Sequence, residues 1–289
     1  MPDRRFRGGQ QAGRAACVAT LILMLVALAT GPAHGQNGGF PRTVIDGTGA
    51  AVTIPARPLV VAVIGSDPAL EHVVPASELR QMDPAATPEA AAWVEVGLLV
   101  VPELYAAGYL ALIASAHSAG VPVFQTVPIT SLTGWRISVE GFGQATGRES
   151  RAAAAIGDLD LHLAIIRALV RGKPAVRALV LTPEGYTFGR GSLITDRLNA
   201  AGGMNAAAEA GFDDFRQVDD AAIRALAPDV VLLSPAWSAE GRAAFLTNLT
   251  YAAVPAVRAG RVFRLPFRPT LPDDPGGAVV ALAILLHVR

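Results

Sequence analysis

The chain has 289 residues, of which 52% are apolar and 17% are charged, and its formal net charge is zero. This length and apolar content suffice for one or two domains with sizeable cores. The first 35 residues hold four arginines and one aspartate, which leaves 20 basic and 23 acidic residues and a net charge of −3 for the rest. A mildly acidic chain of this kind lacks the excess of basic residues that nucleic-acid binding requires, so we exclude nucleic acid as a partner.

The N-terminus has the features of a secretory signal. Four arginines precede a continuous apolar run, 15–30, which is short for a membrane span, and Ala33 and Gly35 follow as small residues at the −3 and −1 positions of a cleavage site. We therefore predict a signal peptide over residues 1–35 and a periplasmic mature protein; an uncleaved anchor helix is the alternative. Cys17, the only cysteine, lies in this segment, so the mature chain has no disulfide.

The remainder alternates between strand and helix patterns. Residues 43–54 alternate around a Gly-Thr-Gly turn and predict a small hairpin. Short buried strands are predicted over 59–64, 97–101, 121–124, 176–181, 229–233 and 261–263. Helices are predicted between them over 110–118, 194–201, 221–227 and 241–246. This alternation indicates parallel sheets with helices on both faces.

One segment is longer than the others. Residues 146–171 contain no proline and repeat apolar residues at helical spacing, until Gly172 and Pro174 end the pattern. At 1.5 Å per residue such a helix reaches about 39 Å, the width of a small domain. We therefore predict an α/β protein with an N-terminal lobe over 42–143, a connecting helix over 144–173 and a C-terminal lobe over 174–289. An ordinary long helix within a single domain is the alternative.

Sequence signatures of catalysis are weak. The segment 141–147 (GFGQATG) resembles a dinucleotide-binding loop, but its third glycine is one residue late and a poor strand precedes it. No two of the five histidines are spaced as metal ligands, and no G-x-S-x-G elbow is present. We therefore expect no catalytic residues, no metal site and no cofactor.

Candidate ligand-binding residues follow the predicted strands, where α/β sheets bind their ligands. In the second half, the loop over 184–192 offers Tyr186 and Arg190, and Trp237 follows the next strand. Aromatic faces and a guanidinium suit a flat or anionic ligand.

The first half offers a comparable set after its own strands. Ser66 and Asp67 follow the first strand, and Tyr105 follows the strand that ends near residue 101, with Glu103 and Tyr109 beside it. We predict that the loops of both halves face one cleft.

Four stretches resemble the periplasmic substrate-binding proteins of siderophore, haem and cobalamin importers. They are 42–58 (RTVIDGTGAAVTIPARP), 185–205 (GYTFGRGSLITDRLNAAGGMN), 223–234 (IRALAPDVVLLS) and 253–266 (AVPAVRAGRVFRLP). The resemblance implies two Rossmann-like lobes, a rigid connecting helix and a ligand between the lobes. Between residues 64 and 97 the chain departs from the family pattern, because prolines interrupt a stretch that usually carries a full helix and a further strand.

The resemblance also implies partners. Members of this family dock on an ATP-binding-cassette permease of the inner membrane through one acidic residue on each lobe. Glu89 matches the first of these by position, and Asp220 lies beside the second, where this chain has Ala221.

We therefore expect a monomer that captures an iron complex of siderophore or haem type and delivers it to an importer, with cobalamin as the alternative ligand. Two alternatives belong to other classes of protein. One is an exported α/β enzyme, and the other is a ligand sensor or chaperone that serves no transporter.

Signal-peptide cleavage provides a first prediction. We expect export to cleave the chain after Gly35, so that the mature protein begins at Gln36, because the small residues at 33 and 35 fit the cleavage-site pattern. Intact-mass spectrometry of the protein recovered from the periplasm checks this. A mature protein that keeps residues 15–30 would contradict the prediction and favour the anchor helix.

Overall fold

In the computed structural model, the residues described are 39–83, 93–102, 107–213 and 215–288. The predicted signal peptide over 1–35 lies outside them, as do Glu89, Glu103 and Tyr105.

Two four-stranded parallel sheets organise the described chain. The N-terminal sheet has the strand order β4-β3-β5-β6, and the C-terminal sheet has the order β12-β11-β7-β9. Their strands are β3 (Val60–Ile64), β4 (Leu79–Met82), β5 (Val96–Pro102), β6 (Val123–Thr126), β7 (Val176–Leu181), β9 (Gly203–Asn205), β11 (Val230–Leu233) and β12 (Val262–Arg264). Two antiparallel pairs accompany them, β1 (Arg42–Ile45) with β2 (Ala51–Ile54), and β8 (Tyr186–Thr187) with β10 (Arg216–Gln217).

This arrangement confirms the predicted fold class. Every strand of the N-terminal sheet lies within 42–143 and every strand of the C-terminal sheet lies within 174–289, and no strand of the described chain joins the two sheets. The central strands are runs of valine and leucine buried on both faces, because helices cover each parallel sheet on both sides. The residue limits of the two lobes stay a prediction.

Helices connect the strands. They are α1 (Pro68–Glu71), α2 (Leu110–Ser118), α3 (Leu132–Thr146), α4 (Glu149–Val170), α5 (Leu193–Ala200), α6 (Ala206–Glu209), α7 (Asp220–Leu226), α8 (Ala239–Thr247), α9 (Pro255–Arg258) and α10 (Pro275–His287). Short 3₁₀ turns lie at Ala76–Glu78, Ala107–Tyr109 and Leu249–Tyr251. In the described part of the chain, no helix is both long enough and apolar enough to span a bilayer.

The long helix α4 (Glu149–Val170) lies within the predicted connecting helix 144–173 but begins five residues after its predicted start. The cause is Gly147, which ends α3 in the left-handed conformation with φ = 65°. Arg148, buried between the two helices, donates to the carbonyls of Thr146 (2.7 Å) and Pro58 (3.0 Å) and pairs with Glu78. The glycine-rich segment 141–147 is therefore the end of a helix, which excludes the dinucleotide-loop alternative.

Helix α4 packs closely against α3 on one side and α10 on the other. A Cβ at Gly143 of α3 would lie 2.7 Å from the Cβ of Ala152, and one at Gly276 of α10 would lie 2.6 Å from Nδ1 of His162. Such contacts require glycine, because no real Cβ approaches its neighbours so closely. These two glycines set the distance between α4 and its neighbours.

The close contact between α3 and α4 provides the second prediction. Gly143→Ala should destabilise the protein by about 1–3 kcal/mol, because the added methyl group overpacks the crossing. The measurement is urea unfolding of the mature protein at constant pH.

Gly157 of α4 is the matched control, since a Cβ there meets nothing within 4 Å. Gly157→Ala should stabilise the protein by about 0.5–1 kcal/mol, because alanine is the better helix former. Equal effects of the two substitutions would contradict the packing argument.

Candidate ligand-binding site

The carboxyl ends of β7 and β11 lie side by side. Leu181 and Leu233, the last residues of these strands, are register partners. The amide of Ser234 and the indole Nε1 of Trp237 both donate to the carbonyl of Leu181, at 2.8 and 3.1 Å. The loops that carry Tyr186 and Trp237 therefore start from one edge of the C-terminal sheet, as the sequence predicts.

Trp237 is half-buried and fixed at this edge. Its ring meets Phe245 edge-on, with centroids 6.0 Å apart, and its carbonyl accepts from Nη1 of Arg264 at 3.2 Å. Trp237 therefore joins the ends of neighbouring strands, through its indole to β7 and through its backbone carbonyl to Arg264 of β12. This contact gives Trp237 a structural role at the site in addition to any contact with a ligand.

The loop after β7 is held rigidly by its neighbours. A Cβ at Gly189 would lie 2.1 Å from the carbonyl oxygen of Phe212, so only glycine allows this approach. Nδ2 of Asn205, which is buried, donates to the carbonyl of Phe188 at 2.6 Å and to Oγ1 of Thr195 at 2.6 Å. The loop is therefore preformed, as small-molecule sites usually are.

Three aromatic rings form a cluster at this loop, two from the segment after β7 and one from the segment before β10. The ring of Tyr186 stacks on Phe215 with centroids 4.7 Å apart and an interplanar angle of 13°, and Phe188 lies 5.0 Å from Phe215 at 41°. Phe188 is buried and Tyr186 half-buried, whereas Phe215 is 54% exposed. We call these three residues the aromatic platform.

Arg190 lies on the same loop and reaches solvent. Its side chain is 60% exposed and pairs with Asp213 at 3.4 Å, and its Nε donates to the carbonyl of Ala208 at 3.1 Å. Because the acid is itself 72% exposed, this pair is weak and Arg190 can exchange it for an anionic ligand group.

A second arginine orders the loop that follows β12. Arg197 is fully buried and donates to the carbonyls of Leu271 (2.8 Å) and Pro269 (3.4 Å), with its guanidinium 5.4 Å from the ring centre of Phe267. Burial lowers the pKa of Arg197 to about 10, partly offset by Asp273 and Asp274. The guanidinium therefore stays charged at neutral pH and fixes the loop through its backbone carbonyls.

In the first half, Ser66 is exposed directly after β3, whereas Asp67 is buried. The Asp67 carboxylate caps α1, accepting from the amides of Ala69 (3.0 Å) and Leu70 (3.2 Å). Burial raises the pKa of Asp67 above its ordinary value, against the opposing effect of these hydrogen bonds. Tyr109 is half-buried against the core of the N-terminal sheet.

Asp220, the candidate for docking, is engaged within the protein. Its carboxylate accepts a hydrogen bond of 2.5 Å from the hydroxyl of Tyr251. Burial has the largest effect on the pKa of Tyr251, and the hydrogen bond to Asp220 adds to it, so that the pKa is raised to about 12. The tyrosine therefore remains a donor at neutral pH. Within the described residues, no group of three or more His, Cys, Asp or Glu side chains could hold a metal ion.

Comparison with known proteins identifies the class. The described chain combines two parallel sheets, loops at their carboxyl edges and a long helix packed into the core that both sheets share. The family model described as "Periplasmic binding protein" matches residues 112–269, which is more than half of the chain. The chain therefore belongs to the periplasmic binding protein family, whose members are binding proteins.

Individual relatives cover different shares of the chain. The cobalamin-binding protein of Halobacterium salinarum is 32% identical over 119 residues, 40% of this chain and 32% of the relative, so the match spans about a third of that relative's length. Among solved structures, the periplasmic haem-binding protein BhuT in complex with two haems is similar at 25% identity and a TM-score of 0.63, covering 78% of this chain and 97% of BhuT. The periplasmic haem-binding protein RhuT from Roseiflexus sp. RS-1 is similar at 23% identity and a TM-score of 0.61, covering 79% of this chain and 99% of RhuT.

The structure adds one residue that the sequence reasoning missed. Phe215 lies 29 positions after Tyr186 in the chain but stacks on it, because β10 pairs with β8 and brings the two segments together. The only signal in the sequence is the pair of phenylalanines in the segment 212–215 (FDDF), which does not reveal the pairing.

The cap at Asp67 provides the third prediction. Asp67→Ala should destabilise the protein by about 0.5–2 kcal/mol, the usual cost of losing an N-cap, whereas Asp67→Asn should retain the cap. Because folding raises the pKa of this carboxyl, its contribution to stability is greatest below its unfolded-state pKa and is lost as the pH rises through its folded-state pKa. As the pH rises through the folded-state pKa, the Asp67→Asn variant should therefore become more stable relative to the wild type.

Thermal melts at a series of pH values from acidic to neutral measure both effects. Asp219→Ala, which removes the cap of α7 at Ala222 (2.7 Å), is the control for the loss of a cap alone. If Asp67→Asn destabilised the protein as much as Asp67→Ala, the capping role would be wrong.

Proposed function

We propose that this protein is an extracytoplasmic solute-binding protein that captures a metal complex and delivers it to an ATP-binding-cassette importer. An iron complex of haem type is the leading ligand, a ferric siderophore belongs to the same proposal, and cobalamin is the alternative. The cleft lies between the carboxyl edges of the two sheets, and ligand capture involves no bond chemistry.

The observation that carries this proposal is the aromatic platform. The exposed ring of Phe215 stacks on Tyr186, and Tyr186 lies on the loop that Gly189 fixes. The platform therefore offers a rigid apolar surface to a conjugated ring system. Arg190 beside it adds a cation for carboxylate groups on the ligand. Together they suit a large planar ligand with anionic substituents.

The relatives support the same ligand class. BhuT is described in complex with two haems and RhuT as haem-binding, which favours haem for this chain. The Halobacterium relative is described as cobalamin-binding, which keeps the corrinoid as the second candidate. Both ligand types carry a large conjugated macrocycle around a metal.

The remaining partner assignments are part of this proposal. Glu89 and Asp220 are the residues proposed for docking on an inner-membrane permease, and Ser66, Asp67 and Tyr105 are proposed to face the ligand from the first half. The hydrogen bond between Asp220 and Tyr251 weakens the case for Asp220, because a docking acid has to reach the arginine of its partner.

The test, our fourth prediction, is ligand titration. Haemin, cyanocobalamin and a ferric hydroxamate siderophore are titrated separately against the mature protein, with absorption and tryptophan fluorescence as readouts. We expect haemin to bind with the highest affinity. Phe215→Ala and Tyr186→Ala should weaken its binding about thirtyfold, the usual cost of removing an aromatic anchor from a desolvated site.

Leu249→Ala is the matched control, since Leu249 is 88% exposed in the same half of the chain and belongs to a short 3₁₀ turn outside the aromatic platform. It should bind haemin like the wild type, and thermal melts confirm that each variant is folded. Highest affinity for cyanocobalamin would favour the corrinoid instead. Failure of all three ligands to bind, or folded platform variants that bind within about twofold of the wild type, would reject the proposed ligand class.

A further inference from the structure

The loop after the last strand, residues 265–274, runs from the carboxyl edge of the C-terminal sheet to the first half of the chain. At its start, the amide of Leu265 donates to the carbonyl of Leu233 at 2.8 Å, at the end of β11. Near its end, the carbonyl oxygen of Asp273 lies 2.8 Å from Nε2 of His72. We call residues 265–274 the bridging loop, because it joins the two sides of the proposed cleft.

A buried charge lies against the middle of the bridging loop. The guanidinium of Arg197 donates to the carbonyls of Pro269 and Leu271, but among the described residues no carboxylate forms an ion pair with it. Its Nε is buried and has no hydrogen-bond partner there. Burying a charge without an acid is costly, and an apolar side chain of similar volume would avoid the cost. What Arg197 contributes is therefore a fixed position for the loop.

The bridging loop carries one exposed arginine, Arg268. Its side chain is 68% exposed, and its contact with Asp273 is 3.9 Å long, which is too long for a hydrogen bond. Arg190, by comparison, donates to the carbonyl of Ala208 at 3.1 Å and has a closer acid. Within the described part of the chain, Arg268 therefore has the freer guanidinium, with its fork of N–H donors available to a ligand.

Two acids lie on the same loop, and neither blocks Arg268. The carboxylate of Asp274 caps α10, since it accepts from the amide of Gly277 at 2.8 Å. The carboxylate of Asp273 is 49% exposed, so its pair with Arg268 is weak and a carboxylate of the ligand can replace it.

Strand order places Arg268 across Trp237 from the aromatic platform. The strands β12, β11 and β7 are neighbours in that order, and the loops after them carry Arg268, Trp237 and Tyr186. All three loops leave the same edge of the sheet, because the carboxyl ends of parallel strands lie together. A large ligand that lies on the platform and extends along this edge therefore approaches Arg268.

We propose that Arg268 is a specificity-determining residue that binds a carboxylate at the periphery of the ligand, and that Arg197 is the positioning residue that holds its loop in place. The proposal rests on the proposed function, since it concerns the same cleft. It also narrows the choice of ligand. Haem carries propionate groups, which a guanidinium binds through two parallel hydrogen bonds, whereas the side chains around a corrin ring are mainly neutral amides.

Esterification of the ligand provides the test, our fifth prediction. Haemin and its dimethyl ester share the macrocycle and the iron, but the ester has no free carboxylate. Each is titrated separately against the mature protein and its variants, with Soret absorption as the readout and thermal melts as the check of folding. We expect the wild type to bind haemin at least about tenfold more tightly than the ester, because a charge-assisted contact of this kind contributes about that factor.

Arg268→Gln should bind haemin about tenfold more weakly than the wild type and bind the ester unchanged. Arg268→Lys should keep part of the preference for haemin, because lysine keeps the charge but not the fork of donors. Arg258→Gln is the matched control, since Arg258 is exposed on α9, which precedes β12 and so lies towards the other edge of the sheet. This control should bind both ligands like the wild type.

Arg197→Met separates positioning from a purely structural role. If Arg197 acts through Arg268, this variant should lose the preference for haemin over the ester. Adding Arg268→Gln to it should then weaken haemin binding no further, because residues that act through one contact are not additive. A purely structural role would weaken the binding of both ligands equally and add to the effect of Arg268→Gln.

The outcomes also separate this proposal from the proposed function. An Arg268→Gln variant that binds haemin within about twofold of the wild type would overturn the subsite, as would an equal loss of haemin and ester. A wild type that binds haemin and its ester equally would reject the subsite and leave the proposed function intact. A wild type that binds neither would contradict both.

Discussion

The close packing of one helix, Glu149–Val170, between its two neighbours is the constraint on which the rest of the structure depends. Its buried residues Leu159 and Ile166 belong to a core cluster that also contains Val63 of the N-terminal sheet and Val180 of the C-terminal sheet. A well-packed core of this kind deforms very little, so the helix fixes the separation of the two sheets. The glycines that set its distance to α3 and α10 therefore contribute to the separation of the two sheets, and so to the geometry of the proposed cleft.

Hydrogen bonds between the halves reinforce this constraint near the proposed cleft. A side-chain oxygen of Asp196, in the C-terminal half, accepts from the amide of Leu132 at 2.7 Å, and Nε2 of His72 lies 2.8 Å from the carbonyl of Asp273. Both contacts join the first half of the chain to the second, and within the described residues the two sheets share no strand. We therefore expect the proposed cleft to change only by small rocking movements, so that its affinity comes from loops that are already shaped for the ligand.

The sequence predicts the elements of the sheets better than the contacts between them. The strand Val176–Leu181 and the helix Leu110–Ser118 lie where the patterns predict them, because apolar runs and turn residues determine both locally. Helix α3 was not predicted, since its glycines obscure the pattern, although Gly143 is required by the close contact with α4. Stacking of Phe215 on Tyr186 and capping by Asp67 could not be predicted, because each depends on which segment tertiary structure brings alongside.

The support beneath the aromatic platform decides what it can bind. The platform is small and lies beside a loop that Gly189 and Asn205 hold rigid, at the carboxyl edge of a sheet, where a small ligand can be enclosed. The aliphatic side chains that are exposed on helix Glu149–Val170, such as Ile165 and Leu169, have no such enclosure, because the outer side of a helix is convex. The proposed ligand capture therefore depends on the loops after the strands, while the long helix serves to hold the two sheets at a fixed separation.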